Sequence, residues 1–183
     1  NPIINTRSFG EVVDSVNRYS VEYIRGLQDH GMLTTAKHFP GHGDTETDSH
    51  SALAQIPSDS TRLWTIELPP FKRAIDEGVD AVMVAHVNAP DFQDHAEDPA
   101  SLSKFWLQDI LRNQMNFNGV IITDAMRMGG IVKNYSDDYA LLATVEAGSD
   151  IIIQNMNLKR SIDTIEKAVL DGTISESRIN SSA

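Results

Sequence analysis

The chain lacks cysteine entirely, and this absence removes several chemistries at once. Zero cysteines among 183 residues exclude a disulfide framework, a thiolate nucleophile and a cysteine-ligated metal centre. Because the missing thiols give no sign of the redox compartment, the protein could be cytoplasmic or exported. No signal peptide opens the chain, and its first residues, NPIINTRSFGE, do not read as a natural start, so we expect the natural N-terminus to lie outside it.

The sequence also has few basic residues and no long apolar run. The sequence has 15 Lys and Arg against 26 Asp and Glu, a formal net charge of −11 with histidine neutral. A phosphate backbone would be repelled by this charge, so no nucleic-acid partner is expected. No apolar run approaches the roughly 18 residues that a transmembrane helix needs, so no membrane span is expected.

Strand-like and helix-like segments alternate along the chain, which predicts an α/β fold. Hydrophobic residues make up 40% of the sequence, enough for one domain with a sizeable core. Ser8, with Glu11 three residues later, predicts the N-cap of the first helix. Runs such as Ala81 to Ala85 are apolar on successive residues, as in parallel strands covered on both faces. The four segments that read as strands are TTAKHF, VDAVMVAH, GVIITDA and SDIIIQNMN.

The number of strand and helix units predicts part of a barrel. A (β/α)8 barrel takes about 250 residues in eight units. Four units in 183 residues therefore predict the C-terminal half of such a barrel, with parallel strands. We expect residues 1–183 to form a single segment whose partner is the missing N-terminal half of the barrel.

Polar side chains stand at the end of each predicted strand. The carboxyl ends of parallel strands meet at one edge of the sheet, where ligands of α/β proteins bind. The sequence therefore predicts a site at that edge. The strand-end residues are Lys37 and His38, His86 and Asn88, Thr123 and Asp124, and Gln154 and Asn155.

The loop KHFPGHGDTETDSH, which follows the first strand, is open to several interpretations. Gly41 and Gly43 lack the spacing of a nucleotide-binding fingerprint, which disfavours a phosphate cradle. A zinc or manganese site fits the types of side chain, although the ammonium of Lys37 would oppose a divalent cation. A solvated polar loop is a third interpretation. The candidate metal ligands are His38, His42, Asp44, Asp48 and His50, with Asp124 in addition.

Acid–base catalysis is the fourth interpretation of the loop. Asp48 and His50 are separated by one residue, so their side chains share a direction in a locally extended segment. A carboxylate beside an imidazole favours its protonated form and gives an acid that titrates near neutrality. Asp124 is the best placed nucleophile for such an acid, although it could instead be the N-cap of a helix at AMRMGGI.

The loop also resembles a signature of glycoside hydrolase family 3, of the bacterial β-N-acetylhexosaminidase type. That pattern reads Lys-His-Phe/Ile-Pro-Gly-His-Gly, four variable residues, then Asp-Ser-His, and every fixed position matches here. The segments NPIINTRSFG, ELPPFKRAIDEGVDAVMVAHV, GVIITDAMRMGGI and AGSDIIIQNMN carry the resemblance across nearly the whole chain. One departure is Ala125, where many members of the family have a second aspartate after the nucleophile.

The resemblance implies a set of residue functions. Asp124 would be the nucleophile, and His50, oriented by Asp48, would be the general acid and base. His42 would shape the loop, with direct contact to the sugar as the alternative. Three further residues, Arg7, Lys37 and His38, would bind hydroxyls of the N-acetylglucosamine ring, while His86 and Met126 either line the pocket or only complete the packing of the strand ends.

The activity implied by the resemblance is that of a retaining exo-β-N-acetylglucosaminidase. It would hydrolyse terminal β-linked N-acetylglucosamine, from peptidoglycan fragments, through a covalent glycosyl-aspartate and a His/Asp acid–base dyad. No metal or other cofactor is implied. Water or phosphate could act as the acceptor in the second step. The alternatives are a metal-dependent hydrolase that uses the His/Asp loop and a non-catalytic sugar-binding barrel.

Overall fold

Helices outnumber strands in the part of the chain that the structure describes. The computed structural model describes residues 4–43, 45, 49, 52–57, 59–92, 98–154 and 157–183. The α-helices within these ranges are α1 (Val13–Gln28), α2 (Ser60–Arg62), α3 (Pro69–Asp76), α4 (Gly129–Val132), α5 (Asp137–Ala147), α6 (Leu158–Leu170) and α7 (Glu176–Asn180). Leu63–Glu67 and Phe105–Gln114 are π-helical, and Asn5–Arg7 and Ala100–Leu102 are 3₁₀ turns. The strands are β1 (Thr35–Phe39), β2 (Ala54–Gln55), β3 (Ala81–Val84), β4 (Val87–Asn88) and β5 (Val120–Thr123).

The central sheet is parallel, as the sequence predicts. Its three strands lie in the order β1-β3-β5, and both pairings are parallel. The predicted fourth strand is reduced to a single parallel bridge between Ile151 and Ile122. A second, unpredicted parallel pair joins β2 to β4. The α/β prediction is confirmed, and the arrangement is consistent with a partial (β/α)8 barrel.

The sheet is covered by aromatic and aliphatic side chains. Phe39 is completely buried, and its ring meets Phe71 edge-on at 5.3 Å and Trp106 at 5.9 Å between centroids. Val82, Val84 and Ile121 are also fully buried, whereas Val120 and Ile151 are 38% and 49% exposed. The expectation of strands covered on both faces therefore holds for β3 but not for the start of β5 at Val120 or for the neighbouring Ile151.

Helix boundaries follow local signals only in part. α3 begins at Pro69, where a missing N–H costs nothing, and α5 ends before Gly148, whose φ of 119° suits glycine. The predicted Ser8 cap is wrong, because α1 begins at Val13 after Val12 and the Ser8 hydroxyl donates instead to the carbonyl of Gly10. In the part of the chain that the structure describes, no helix is both long and apolar enough to cross a bilayer.

Asp150 ties the C-terminal part of the chain to the sheet. Its Oδ2 accepts hydrogen bonds from Arg112 Nη2 and from the N–H of Ile121 in β5, both at 2.8 Å. Its Oδ1 accepts from the Ser182 hydroxyl at 2.5 Å, and Arg178 Nη2 lies 3.7 Å away. The carboxylate is 11% exposed. A buried carboxylate with two guanidinium neighbours links three chain segments that are remote in sequence.

Replacing Asp150 by Ala should lower the free energy of unfolding by about 3 kcal/mol, because Arg112 would lose its anionic partner in a mostly buried setting. The matched control is Asp163→Ala. Asp163 is 57% exposed and, among the described residues, pairs with Lys159 one helical turn away, so its loss should cost under about 0.5 kcal/mol. Urea denaturation of both variants measures the difference. Equal losses would contradict the assignment of Asp150 as an anchor.

Candidate active site

The ends of β1, β3 and β5 bring His38 and Asp124 together. Backbone bonds continue the sheet register past the strands: Ala85 N–H donates to Phe39 O and Asp124 N–H donates to Val84 O, both at 2.8 Å. Across this edge, His38 Nε2 lies 3.8 Å from Asp124 Oδ2. These two residues are 86 positions apart, and the parallel sheet places them side by side as the strand-end pattern predicts.

His38 sits at an irregularity in β1. The Lys37–His38 and Phe39–Pro40 peptides are cis, and the pairing register with β3 shifts between Lys37 and Phe39. The His38 side chain is only 10% exposed, whereas Lys37 is exposed. Among the described residues, His38 Nδ1 has no hydrogen-bond partner although it is buried. This imidazole nitrogen therefore keeps an unused hydrogen-bonding position at the strand end.

His38 is neutral at physiological pH. Burial lowers its pKa from 6.5 to about 4, against the opposing effect of the Asp124 carboxylate. The positive charges of Lys37 and Arg7, and the neighbouring His42, lower this pKa further. The ring therefore offers one donor and one acceptor to a neutral ligand and adds no charge to the site.

Asp124 is not a helix cap. Its Oδ1 accepts a hydrogen bond from the N–H of Ala125 at 2.8 Å, and its side chain is 18% exposed. The next helix, α4, begins only at Gly129 and has Met128 at its N-cap position. The N-cap alternative is therefore wrong, and the carboxylate stands at the sheet edge with Oδ2 on the side of His38.

His42 organises the loop that follows β1. The ring is 4% exposed, with Nδ1 2.6 Å from Thr45 Oγ1 and Nε2 2.7 Å from Ser49 Oγ. The Thr45 hydroxyl also donates to the His42 carbonyl at 3.1 Å, so Nδ1 is the ring atom that donates to Thr45. In the neutral ring, Nε2 then accepts from the Ser49 hydroxyl. Both nitrogens of His42 are thereby engaged with hydroxyl groups.

The predicted metal cluster can be compared with the structure only in part. Asp44, Asp48 and His50 lie outside the described residues. Within the described ranges, no three side chains of His, Cys, Asp or Glu are grouped as metal ligands. Within the described ranges His38 Nδ1 has no protein partner, whereas both nitrogens of His42 are hydrogen-bonded to hydroxyl groups.

The other predicted site residues occupy different environments. Arg7 is exposed at the end of a 3₁₀ turn, and its charge acts on His38. His86 is fully buried, so it does not line an open pocket. Met126 is 6% exposed; it packs against Leu102 and lines a small cavity of about 100 Å³.

Gly130 in α4 allows the loop backbone to approach the strand-end turn. Its N–H donates to the carbonyl of Ser49 at 3.2 Å. A Cβ at this position would lie 3.2 Å from Ala52 O, 3.3 Å from Ser49 O and 3.5 Å from His86 Cβ. Ser49 is therefore fixed on both sides, by His42 through its hydroxyl and by Gly130 through its carbonyl.

Residues 1–183 match the family model described as Glycosyl hydrolase family 3 N terminal domain over their whole length. The chain belongs to glycoside hydrolase family 3. The resemblance read from KHFPGHGDTETDSH is thereby confirmed, and the parallel α/β sheet agrees with the barrel-like domain of this family.

Individual family 3 relatives are similar over most of the chain. A beta-hexosaminidase of Idiomarina loihiensis is 37% identical over 151 residues, which cover 82% of this chain and 44% of the relative. The solved family 3 beta-N-acetylglucosaminidase of Paenibacillus sp. str. FPU-7 is 43% identical with a TM-score of 0.93, covering 100% of this chain and 35% of that one. Zn-bound CbsA of Thermotoga neapolitana is 35% identical with a TM-score of 0.91, covering 98% and 39%. The chain thus spans less than half the length of these relatives.

Sequence reasoning missed the supporting residues of this family 3 site. Thr45, Ser49 and Ser101 are small polar residues, and their bonds to buried histidines have no local sequence signal. Gly130 was signalled only by the pair of glycines in AMRMGGI, which marks a place where another backbone can come close.

Lowering the pH should destabilise the family 3 chain through His38. The unfolded chain, with a pKa near 6.5, takes up the proton before the folded chain, whose pKa is about 4. The free energy of unfolding contributed by this residue is therefore complete above pH 6.5 and decreases as the pH falls towards 4, by up to about 3 kcal/mol. Urea denaturation across this window should show a smaller slope in His38→Gln than in the exposed control His30→Gln. Identical slopes would contradict the buried, neutral state of His38.

Replacing Gly130 by Ala should lower the thermal midpoint of the family 3 chain, because the new methyl group would press on two backbone carbonyls. Alanine ordinarily stabilises a helix by about 0.5–1 kcal/mol relative to glycine. Gly26→Ala in α1 is the matched control, since no atom lies within 4 Å of its added Cβ, and it should raise the midpoint. A midpoint that rises equally in both variants would show that the loop does not pack tightly on α4.

Proposed function

We propose that the protein is a retaining exo-β-N-acetylglucosaminidase in which Asp124 is the nucleophile. The observation that carries this proposal is the approach of Asp124 Oδ2 to His38 Nε2, 3.8 Å apart at the carboxyl edge of a parallel sheet. Active sites of barrel enzymes lie at this edge. The names of the relatives, beta-hexosaminidase and beta-N-acetylglucosaminidase, support the class of substrate.

The two oxygens of Asp124 have different environments, which suits a nucleophile. Oδ1 accepts the N–H of Ala125 and fixes the plane of the carboxylate, while Oδ2 is the oxygen on the side of His38. In the first step Oδ2 would form a bond to the anomeric carbon as the glycosidic C–O bond breaks. The leaving oxygen takes its proton from a general acid.

His50, oriented by Asp48, is proposed as that acid. Both residues lie outside the described ranges, and the proposal rests on the Asp-Ser-His match to the family signature. After the aglycone leaves, the neutral imidazole would take a proton from water. The resulting hydroxide attacks the anomeric carbon, breaks the ester to Asp124 and releases the sugar with net retention.

Lys37, His38 and Arg7 are proposed to bind the sugar hydroxyls. A buried polar atom without a partner is costly, so the unpartnered Nδ1 of His38 gains a hydrogen bond when a hydroxyl reaches it. A neutral imidazole matches a neutral sugar, because a hydroxyl can both donate and accept. The exposed cations Lys37 and Arg7 supply further donors beside it.

Within this class of substrate, we propose terminal β-linked N-acetylglucosamine on peptidoglycan fragments. The support is the resemblance of the loop to the bacterial β-N-acetylhexosaminidase type. Relative rates on a disaccharide peptide from peptidoglycan and on N,N′-diacetylchitobiose measure this preference. A faster reaction of diacetylchitobiose would favour chitin fragments instead.

A metal-dependent hydrolase is the second candidate. It is favoured by the zinc-bound state of the Thermotoga neapolitana neighbour and by the unpartnered Nδ1 of His38, which could ligate a metal. Against it, both nitrogens of His42 are already bonded to hydroxyls. Loss of hydrolysis on treatment with EDTA, restored by Zn²⁺, would favour this candidate over the glycosidase.

Replacing Asp124 by Asn in the full-length protein should abolish hydrolysis of 4-nitrophenyl N-acetyl-β-glucosaminide, with kcat lower by about 10³-fold or more, because the amide cannot form the glycosyl ester. Asp163→Asn, on the exposed face of α6, is the control and should retain activity. Binding of N-acetylglucosamine, measured by calorimetry, should persist in both variants.

Mass spectrometry after treatment with a 2-fluorinated sugar fluoride locates the intermediate. We expect the adduct on the peptide that contains Asp124. An adduct on any other residue would overturn the assignment of the nucleophile. A wild-type protein that binds the sugar without turnover or adduct would favour the non-catalytic sugar-binding barrel.

A further inference from the structure

His86 is a completely buried histidine that the proposed mechanism does not use. It follows β3 and lies beneath the turn that joins β5 to α4. We propose that His86 is a positioning residue that fixes the orientation of the Asp124 carboxylate through the backbone of Ala125. The inference rests on the proposed function, because it concerns the nucleophile of that reaction.

The contacts form a continuous path from His86 to the carboxylate. His86 Nε2 lies 3.0 Å from the carbonyl oxygen of Ala125, and the N–H of the same residue donates to Asp124 Oδ1 at 2.8 Å. A carbonyl oxygen only accepts, so Nε2 carries the hydrogen. Both backbone polar groups of Ala125 are thereby used, one by His86 and one by the nucleophile.

The tautomer of His86 is fixed from the other side of its ring. Ser101 Oγ lies 2.8 Å from Nδ1, and in a neutral ring this nitrogen accepts the hydroxyl hydrogen. The carbonyl of Ser101 in turn accepts the hydroxyl of Thr144 at 2.6 Å. Ser101 and Thr144 are both fully buried. The path therefore begins at Thr144 in α5 and finishes at Asp124.

The peptide that joins Ala125 to Met126 is also held from another segment, because the N–H of Met126 donates to the carbonyl of Ile153 at 2.9 Å. Met128 N–H also donates to the carbonyl of Ala125, but this bond lies within the same turn and moves with it. His86 connects the turn to β3 and, through Ser101, to α5. Without His86 the peptide between Ala125 and Met126 could tilt about the bond between Met126 and Ile153, and the N–H of Ala125 would hold Oδ1 less firmly. Displacements of about 1 Å in a reacting group can reduce rates by about 10²-fold.

Two substitutions of His86 distinguish the contributions of its two ring nitrogens. In His86→Gln the side-chain amide reaches the position of Nε2 and can still donate to Ala125, whereas in His86→Asn it reaches only the position of Nδ1. We expect kcat of the full-length protein on the 4-nitrophenyl substrate to fall by about 10²-fold in the Asn variant and by less than about 10-fold in the Gln variant. KM should change by less than about threefold in both.

The rate of adduct formation with the 2-fluorinated sugar fluoride provides the readout for the nucleophile. Fluoride leaves without strong help from a general acid, so this rate reports the attack by Asp124. It should fall in the same proportion as kcat. Equal kcat values in the Gln and Asn variants, or losses that follow their thermal midpoints, would overturn the inference.

Ser101→Ala tests the same path if His86→Asn does not fold. Removing the hydroxyl leaves His86 in place but no longer fixes which of its ring nitrogens carries the hydrogen. The rate of adduct formation should therefore fall by about tenfold. An unchanged rate would also overturn the inference. Failure of the proposed function has a different signature, because the wild-type protein itself would then form no adduct at Asp124.

Discussion

Parallel pairing of β1, β3 and β5 is the constraint on which the site depends. The pairing continues one residue beyond each strand, through Ala85 N–H to Phe39 O and Asp124 N–H to Val84 O. Because the strands run in the same direction, the residues that follow them emerge at one edge. A shift of one residue would turn Asp124 towards the other face of the sheet. The proximity of His38 to Asp124 is therefore a consequence of backbone register, secured by the burial of Phe39 and its aromatic neighbours.

Three histidines near this edge differ in the partners of their ring nitrogens. In His42 and His86 each ring nitrogen faces a hydroxyl or a carbonyl, so both rings hold neighbouring segments in place. His38 is slightly more exposed, and its Nδ1 has no hydrogen-bond partner among the described residues. Buried polar atoms are normally paired, which is why this nitrogen supports the proposed contact with the sugar.

Sequence patterns predicted the fold class and the meeting of His38 with Asp124, because period and strand direction are encoded locally. They did not predict the reduction of the fourth strand to a bridge at Ile151, which depends on pairing with Ile122. The Ser8 cap failed for a different, local reason, since its hydroxyl donates to the carbonyl of Gly10 in its own loop. The supports supplied by Thr45, Ser49 and Ser101 required knowledge of which segments meet, and no residue spacing carries that information.

The support of Asp124 comes from the main chain of Ala125 and not from its side chain. Every amino acid except proline has the same N–H and carbonyl groups. An aspartate in place of this alanine would therefore alter the electric field around the proposed nucleophile without removing the main-chain groups that hold it. The geometry of Asp124 and the charge around it thus depend on different atoms of residue 125, so a substitution of that side chain changes the charge and leaves the anchoring groups in place.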